Sequence, residues 1–229
     1  MTQNYATAYK LFLKAAKLGY DFAQHNLASC YLNGHGIEQS LEKAVKWFRP
    51  AAQQGHAHAQ SSLGTCYLKG EGVEQSFEDA RKWLQLAVDK NVAHAQCNLG
   101  LIYALGLGVP EDRAKALRLF QLAASQGNKV AQHNVGYYHE VGLGGAPKDL
   151  RLAKHFYRLA AAQGNQEAAE ALSELPEGDL PADHDEPPPA TAHEFDVERR
   201  RLNEEAEEAL RAMRAMMLEE LGGTLSAQQ

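Results

Sequence analysis

A glycine returns at Gly19, Gly55 and Gly127 in one register of 36 residues, Asn91 fills the slot between the last two, and Gly164 arrives one residue late. A period of this length marks stacked supersecondary units, each too small to bury its own apolar face. It restricts the chain to a linear array before any local propensity is weighed. Full copies run 21–56, 57–92, 93–128 and 129–165.

Each copy holds two helical patterns. The first is A-Q-x-x-L-(G/A)-x-x-Y, with Ala23, Leu27 and Tyr31 matched by Ala59, Leu63 and Tyr67 and by Ala95, Leu99 and Tyr103; a spacing of four places them on one helical face. In the fourth copy Ala131 and Val135 keep register and His139 replaces the tyrosine. The second pattern is the i, i+3, i+4, i+7 set of an amphipathic helix: Ala44, Trp47, Phe48 and Ala51, then Ala80, Trp83, Leu84 and Ala87, and so on through Ala116 and Ala153.

Between the two patterns stands G-x-G, at Gly34/Gly36, Gly70/Gly72, Gly106/Gly108 and Gly142/Gly144. A phosphate-cradling loop requires a preceding strand, and a P-loop also requires a Gly-Lys-Ser/Thr end; neither is present. The glycines instead close the first helix in a left-handed conformation. Ser40, Ser76, Asp112 and Asp149 then open the second as N-caps, Ser76 with Asp79 resembling a capping box.

Helix, short loop, helix, repeated with A-x-x-x-L-G-x-x-Y and a G-x-G-V turn, resembles the Sel-one-like repeat family, a relative of the tetratricopeptide repeats. The resemblance covers about three quarters of the chain. It implies an all-α fold, a right-handed α-solenoid superhelix of helix-turn-helix repeats, acting as a non-catalytic adaptor or scaffold for protein partners. By the same resemblance the concave groove would be lined by His25, Ser61, Cys97 and His133, by Ser29, Thr65, Leu101 and Tyr137, and by Leu32, Leu68, Ala104 and Glu140. Gln24, Gln60, Gln96 and Gln132 are identical in all copies and are read as structural. Mixed apolar and small polar side chains suit a peptide or helix better than a highly charged ligand.

The array opens on a half repeat, 4–20, in which Asn4 takes the cap position and Tyr5 to Gly19 match a second helix; this fits a terminal cap or a truncated start equally. It closes on a terminal helix, 166–175, with Ala168 and Leu172 in register. Pro50 stands where the other copies have Leu86, Leu122 and Leu159, and a proline inside a helix typically costs about 3 kcal/mol. A kink or early end of that helix is expected.

Candidate chemistry is thin. His56, His58, His94 and Cys97 form the best metal-like cluster, yet no H-x-x-x-H or C-x-x-C occurs in the array, so these read as helix-start histidines. Cys30 and Cys66 share one register position and read as small buried hydrophobes, since neighbouring helices stand about 8–10 Å apart. Neither has a nearby base pattern for a nucleophile. Trp47, Trp83, Phe120 and Tyr31 recur as packing residues. No catalytic residue, cofactor or metal is expected; a hydrolase built on the repeats is the alternative.

Charge divides the chain. Residues 1–175 carry 18 Lys and Arg against 15 Asp and Glu, whereas 176–229 carry 5 against 14. Neither part is basic enough to hold nucleic acid. Residues 176–195 hold five prolines and no Lys or Arg, the composition of an acidic, extended linker. An amphipathic helix is expected over 196–221, its contact face formed by Leu202, Leu210, Met213, Met217 and Leu221, followed by a flexible tail, 222–229. An acidic helix disfavours membrane attachment; its stripe would regulate or extend binding, fold back on the groove, or join copies into a homo-oligomer. With no basic-then-apolar leader in MTQNYATAYK and three cysteines, an odd number, the expected setting is cytoplasmic, with reduced thiols.

Overall fold

Left-handed φ values at Gly34, Gly70, Gly106 and Gly142, between 63° and 83°, end four helices at the same point of the repeat. In each case the glycine N–H donates back to the carbonyl four residues earlier, for example Gly34 to Cys30. Asn91 carries the equivalent φ of 58° where the other repeats use glycine at the second turn, consistent with the tolerance of asparagine for this region.

The computed structural model describes residues 2–176, all ten of whose helices belong to a single stacked array. In chain order they are α1 (Thr2–Lys17), α2 (Asp21–Asn33), α3 (Leu41–Gln53), α4 (Ala57–Lys69), α5 (Phe77–Val88), α6 (Ala93–Leu105), α7 (Arg113–Ser125), α8 (Lys129–Val141), α9 (Leu150–Ala162) and α10 (Gln166–Glu174). Each helix packs against its neighbours in sequence, making a right-handed α-solenoid. We call α2, α4, α6, α8 and α10 the A helices and the rest the B helices.

The second helix of each pair starts at the expected cap. Ser40 Oγ accepts from Lys43 N–H at 3.3 Å, Ser76 Oγ from Asp79 N–H at 3.2 Å, and Asp112 Oδ1 from Lys115 N–H at 2.8 Å. The Ser76–Asp79 pair closes differently from a reciprocal box: the hydroxyl donates to Asp79 Oδ2 at 2.9 Å while the Ser76 N–H goes to Tyr67 O. At the N-terminus, α1 begins at Thr2 and runs through Asn4, so Asn4 lies inside the helix and is no cap.

The core is one residue set repeated. Leu27, Phe48, Leu63, Leu84, Leu99, Phe120, Val135 and Tyr157 are fully buried, each burial contributing about 1.5–3 kcal/mol. The A and B helices of a pair approach closely because the A helix carries Ala28, Gly64, Gly100 or Gly136 at the crossing; a Cβ on Gly100 would lie 2.7 Å from the Phe120 ring. The second glycine of G-x-G has a role that local reading does not reveal. A Cβ on Gly72 would strike the Leu41 backbone at the start of α3, so this glycine seats one repeat on the one before it.

The glutamine at the fourth position of α2 and of α8 ties three helices together. Gln24 Nε2 donates to Ala16 O of α1 at 3.4 Å, and its Oε1 accepts from Gln54 at the end of α3 at 2.8 Å. Gln132 repeats this with Ala124 O and Gln163.

The expected early end at Pro50 does not occur. Helix α3 runs through Pro50 to Gln53, the same register at which α7 ends. Phe48, Ala51 and Ala52, all buried, hold the chain helical around a half-buried proline, and packing overrides the local penalty.

Candidate functional site

Successive repeats offer the same side-chain positions to solvent on the A helices. Phe22, Asn26, Ser29 and Asn33 follow the i, i+4, i+7, i+11 stripe of α2, and all are exposed or half-buried. One period on they become His58, Ser62, Thr65 and Lys69, then His94, Asn98, Leu101 and Leu105, then Val130, Asn134, Tyr137 and Val141. Asn98 Nδ2 donates to Thr65 Oγ1 at 2.8 Å, linking the stripes of α4 and α6.

Of the residues expected to line a groove, Ser29, Thr65, Leu101 and Tyr137 fall on this stripe. The hydroxyls of Ser29 and Thr65 donate to the carbonyls four residues back, at 3.0 and 2.9 Å. Leu32 and Leu68 are half-buried and pack on the core. Ser61 needs correcting: it is only 3% exposed, its hydroxyl has no partner among the described residues, and Cys97 at the same register position is likewise buried. The two imidazoles at this register are half-buried and pack on the B-helix rings. His25 lies against Phe48, ring centroids 5.7 Å apart, and His133 against Tyr157 at 5.5 Å.

Phe22, Asn26 and Asn33 and their equivalents on this candidate face were not among the residues expected from the sequence. Their signal was the i, i+4, i+7, i+11 stripe left when every packing position is removed, which borrowed tetratricopeptide positions did not reproduce. The contact face expected at Leu202, Leu210, Met213, Met217 and Leu221 lies outside the described residues.

The imidazoles gather at the first two A helices. His25 stacks on His56 at 4.8 Å, and His58 stands 6.2 Å from His25. Burial, reinforced by His56 and His58, pushes the His25 pKa down to about 4. His56 Nδ1 accepts the Ala59 N–H at 3.2 Å as an N-cap, a role open only to the neutral ring. His58 and His94 line a cleft of about 580 Å³ with Lys90, Gln126 and Asn128. No group of three or more His, Cys, Asp or Glu among the described residues is arranged to hold a metal ion. The three thiols are buried and unbridged, and burial raises Cys66 to about 11 and Cys97 to about 12, far from a nucleophilic thiolate. No helix among the described residues is long and apolar enough to cross a membrane.

The Sel1 repeat family model matches residues 1–20, 21–56, 57–92, 93–128 and 129–165, in step with the helix pairs just described. The chain belongs to the Sel1 repeat family. Two solved Sel1-type arrays resemble it: c5321, a protective antigen of uropathogenic Escherichia coli with an SLR fold, and a Sel1 repeat protein from Oxalobacter formigenes. The first is 36% identical over 72% of this chain and 35% of its own length, with a TM-score of 0.65. The second is 35% identical over 75% of this chain and 49% of its own, with a TM-score of 0.64. This chain therefore spans about a third and about half of those two proteins. Immunity protein Pa5087 from Pseudomonas aeruginosa, 21% identical over 86% of this chain and 73% of its own, shares the fold with a TM-score of 0.51. No curated protein matches. Sel1 repeats form a scaffold typical of protein-interaction modules and are generally non-catalytic.

Proposed function

We propose that this Sel1 repeat chain is a non-catalytic, cytoplasmic adaptor that binds a protein or peptide along its A-helix face. One observation carries the reading. Within a single chain, positions that pack (Ala23, Gln24, Leu27 and their equivalents) stay nearly constant from copy to copy, while some solvent-facing positions on the same helices differ, as Phe22, His58 and Val130 do at one register and Asn33, Lys69, Leu105 and Val141 at another. Packing does not require those changes, whereas a groove that reads a non-repeating partner does.

Ser29, Thr65, Leu101 and Tyr137 are the central contacts, with His25 and His133 reaching in from the side. Residues 196–221 extend or regulate that binding. The test is affinity co-purification from the source cells with full-length chain. Ser29→Arg with Thr65→Arg abolishes recovery of the partner and Arg118→Glu on a B helix does not; the reverse pattern overturns the reading. Substituting Leu210 and Met213 by Glu changes the amount recovered if the tail contributes.

A further inference from the structure

At two of its four register positions the A-helix face changes from polar to apolar halfway along the array, and the repeat supplies its own control. At the register position of Asn33 and Lys69 the third and fourth repeats carry Leu105 and Val141, which are 65% and 47% exposed. At the position of Ser29 and Thr65 they carry Leu101 and Tyr137, the latter 45% exposed. Two repeats fold with polar residues at these positions, so packing does not demand apolar ones. Side chains placed in water at two neighbouring repeats, against that precedent, mark a contact surface.

The border of this surface is acidic. Glu170 and Glu174 of α10 are exposed, and Glu174 occupies the register position of Leu101 and Tyr137 one repeat further on. Glu140 accepts from Tyr157 Oη at 2.6 Å, and Glu167 stands 4.0 Å from His133 Nδ1. Helices α6, α8 and α10 carry Lys129 as their one cation against Glu140, Glu167, Glu170 and Glu174. The B helices between them, α7 and α9, carry six cations and no acid, so the acidity belongs to the A side.

Resting on the groove reading above, we infer that the Leu101, Leu105, Tyr137 and Val141 surface takes an amphipathic segment of a partner protein, its apolar residues on these four side chains and its Lys or Arg residues over Glu140, Glu170 and Glu174. Opposite charge at the rim fixes the direction in which such a segment lies and rejects an acidic one.

Two labelled amphipathic peptides with one leucine pattern, lysine-rich in one and glutamate-rich in the other, probe the full-length chain by fluorescence anisotropy. The lysine peptide binds and the glutamate peptide does not. Affinity for the lysine peptide falls about tenfold or more in Leu105→Ser with Val141→Ser, and similarly in Glu170→Lys with Glu174→Lys. Arg118→Ser, exposed on the B helix α7, leaves it unchanged. All these side chains are exposed, and thermal melts verify that the variants stay folded. Equal binding of both peptides, binding of neither, or indifference to the serine pair overturns the inference. A natural partner that is lost with Thr65→Arg yet ignores the serine pair leaves the groove reading standing and removes this one.

Discussion

Lys90 sends its ammonium to the Gly55 carbonyl of the preceding repeat and leaves the buried Gln60 Oε1 of its own repeat without a partner among the described residues. Elsewhere the residue at this register is Gln54, Gln126 or Gln163, and its amide donates to the A-helix glutamine at 2.7–2.8 Å. Lys90→Gln should complete the ladder. Pairing one buried acceptor is worth about 1 kcal/mol, or about 2–4 °C in Tm for a chain of this size. A melt of the variant that is unchanged or lower shows that the Gly55 contact matters more.

Two glycines with the same backbone sign separate strain from contact. Gly127 has φ 83° and open space around its absent Cβ, whereas Gly72 has φ 72° and the Leu41 backbone against it. Gly127→Ala should cost about 1–2 kcal/mol, the ordinary penalty of a left-handed alanine. Gly72→Ala should cost at least about 2 kcal/mol more, since backbone cannot move aside as a side chain can. Urea unfolding of the pair measures the difference, and equal losses would show that repeat seating is not close at Gly72.

Pro50→Leu places in the first full repeat the residue type found at Leu86, Leu122 and Leu159. The helix already runs through Pro50, so the substitution adds an N–H for the Lys46 carbonyl without changing register. Stability should rise by about 1–3 kcal/mol in chemical denaturation. A loss would mean that the array is shaped around the proline ring.

Much of this fold is legible in one sequence because the repeat lets every position be read four times over. The caps at Ser40 and Asp112, the core leucines and the glutamines that sew the helices together all follow from register alone. What stays hidden depends on distances between copies. Gly72 looks like a turn residue until the Leu41 backbone is placed beside it, and Ser61 looks exposed until its burial in the stacked array is seen. Pro50 misleads for the opposite reason: a local penalty is outweighed by the buried Phe48, Ala51 and Ala52 around it. The candidate positions were half visible, since Leu105 and Val141 stand out only once their exposure is known.

Acid should loosen the array through its histidines. His25, His56, His94, His133, His139 and His155 all sit below the ordinary histidine range, in each case first because burial disfavours the charged ring. A depressed folded pKa means that the unfolded chain binds more protons, so stability is full above about pH 6.5 and is lost as pH falls towards the His25 value of about 4. Allowing for partial exposure, His25 alone accounts for about 1 kcal/mol of that loss. Urea midpoints at about pH 7.5 and pH 5 check the slope. His25→Leu, which keeps the contact with Phe48, should flatten it, and a midpoint independent of pH in the parent would refute the assignment.

The central claim is that partners lie on the A-helix side of the solenoid. A photo-activated cross-linking residue introduced singly at Thr65 or Tyr137, and for comparison at Lys82 or Arg118 on the B helices, reports the side directly in the full-length chain. The account predicts a discrete cross-linked polypeptide from Thr65 and Tyr137 and none from Lys82 and Arg118. Cross-links from the B-helix positions alone, or equally from both sides, would contradict it.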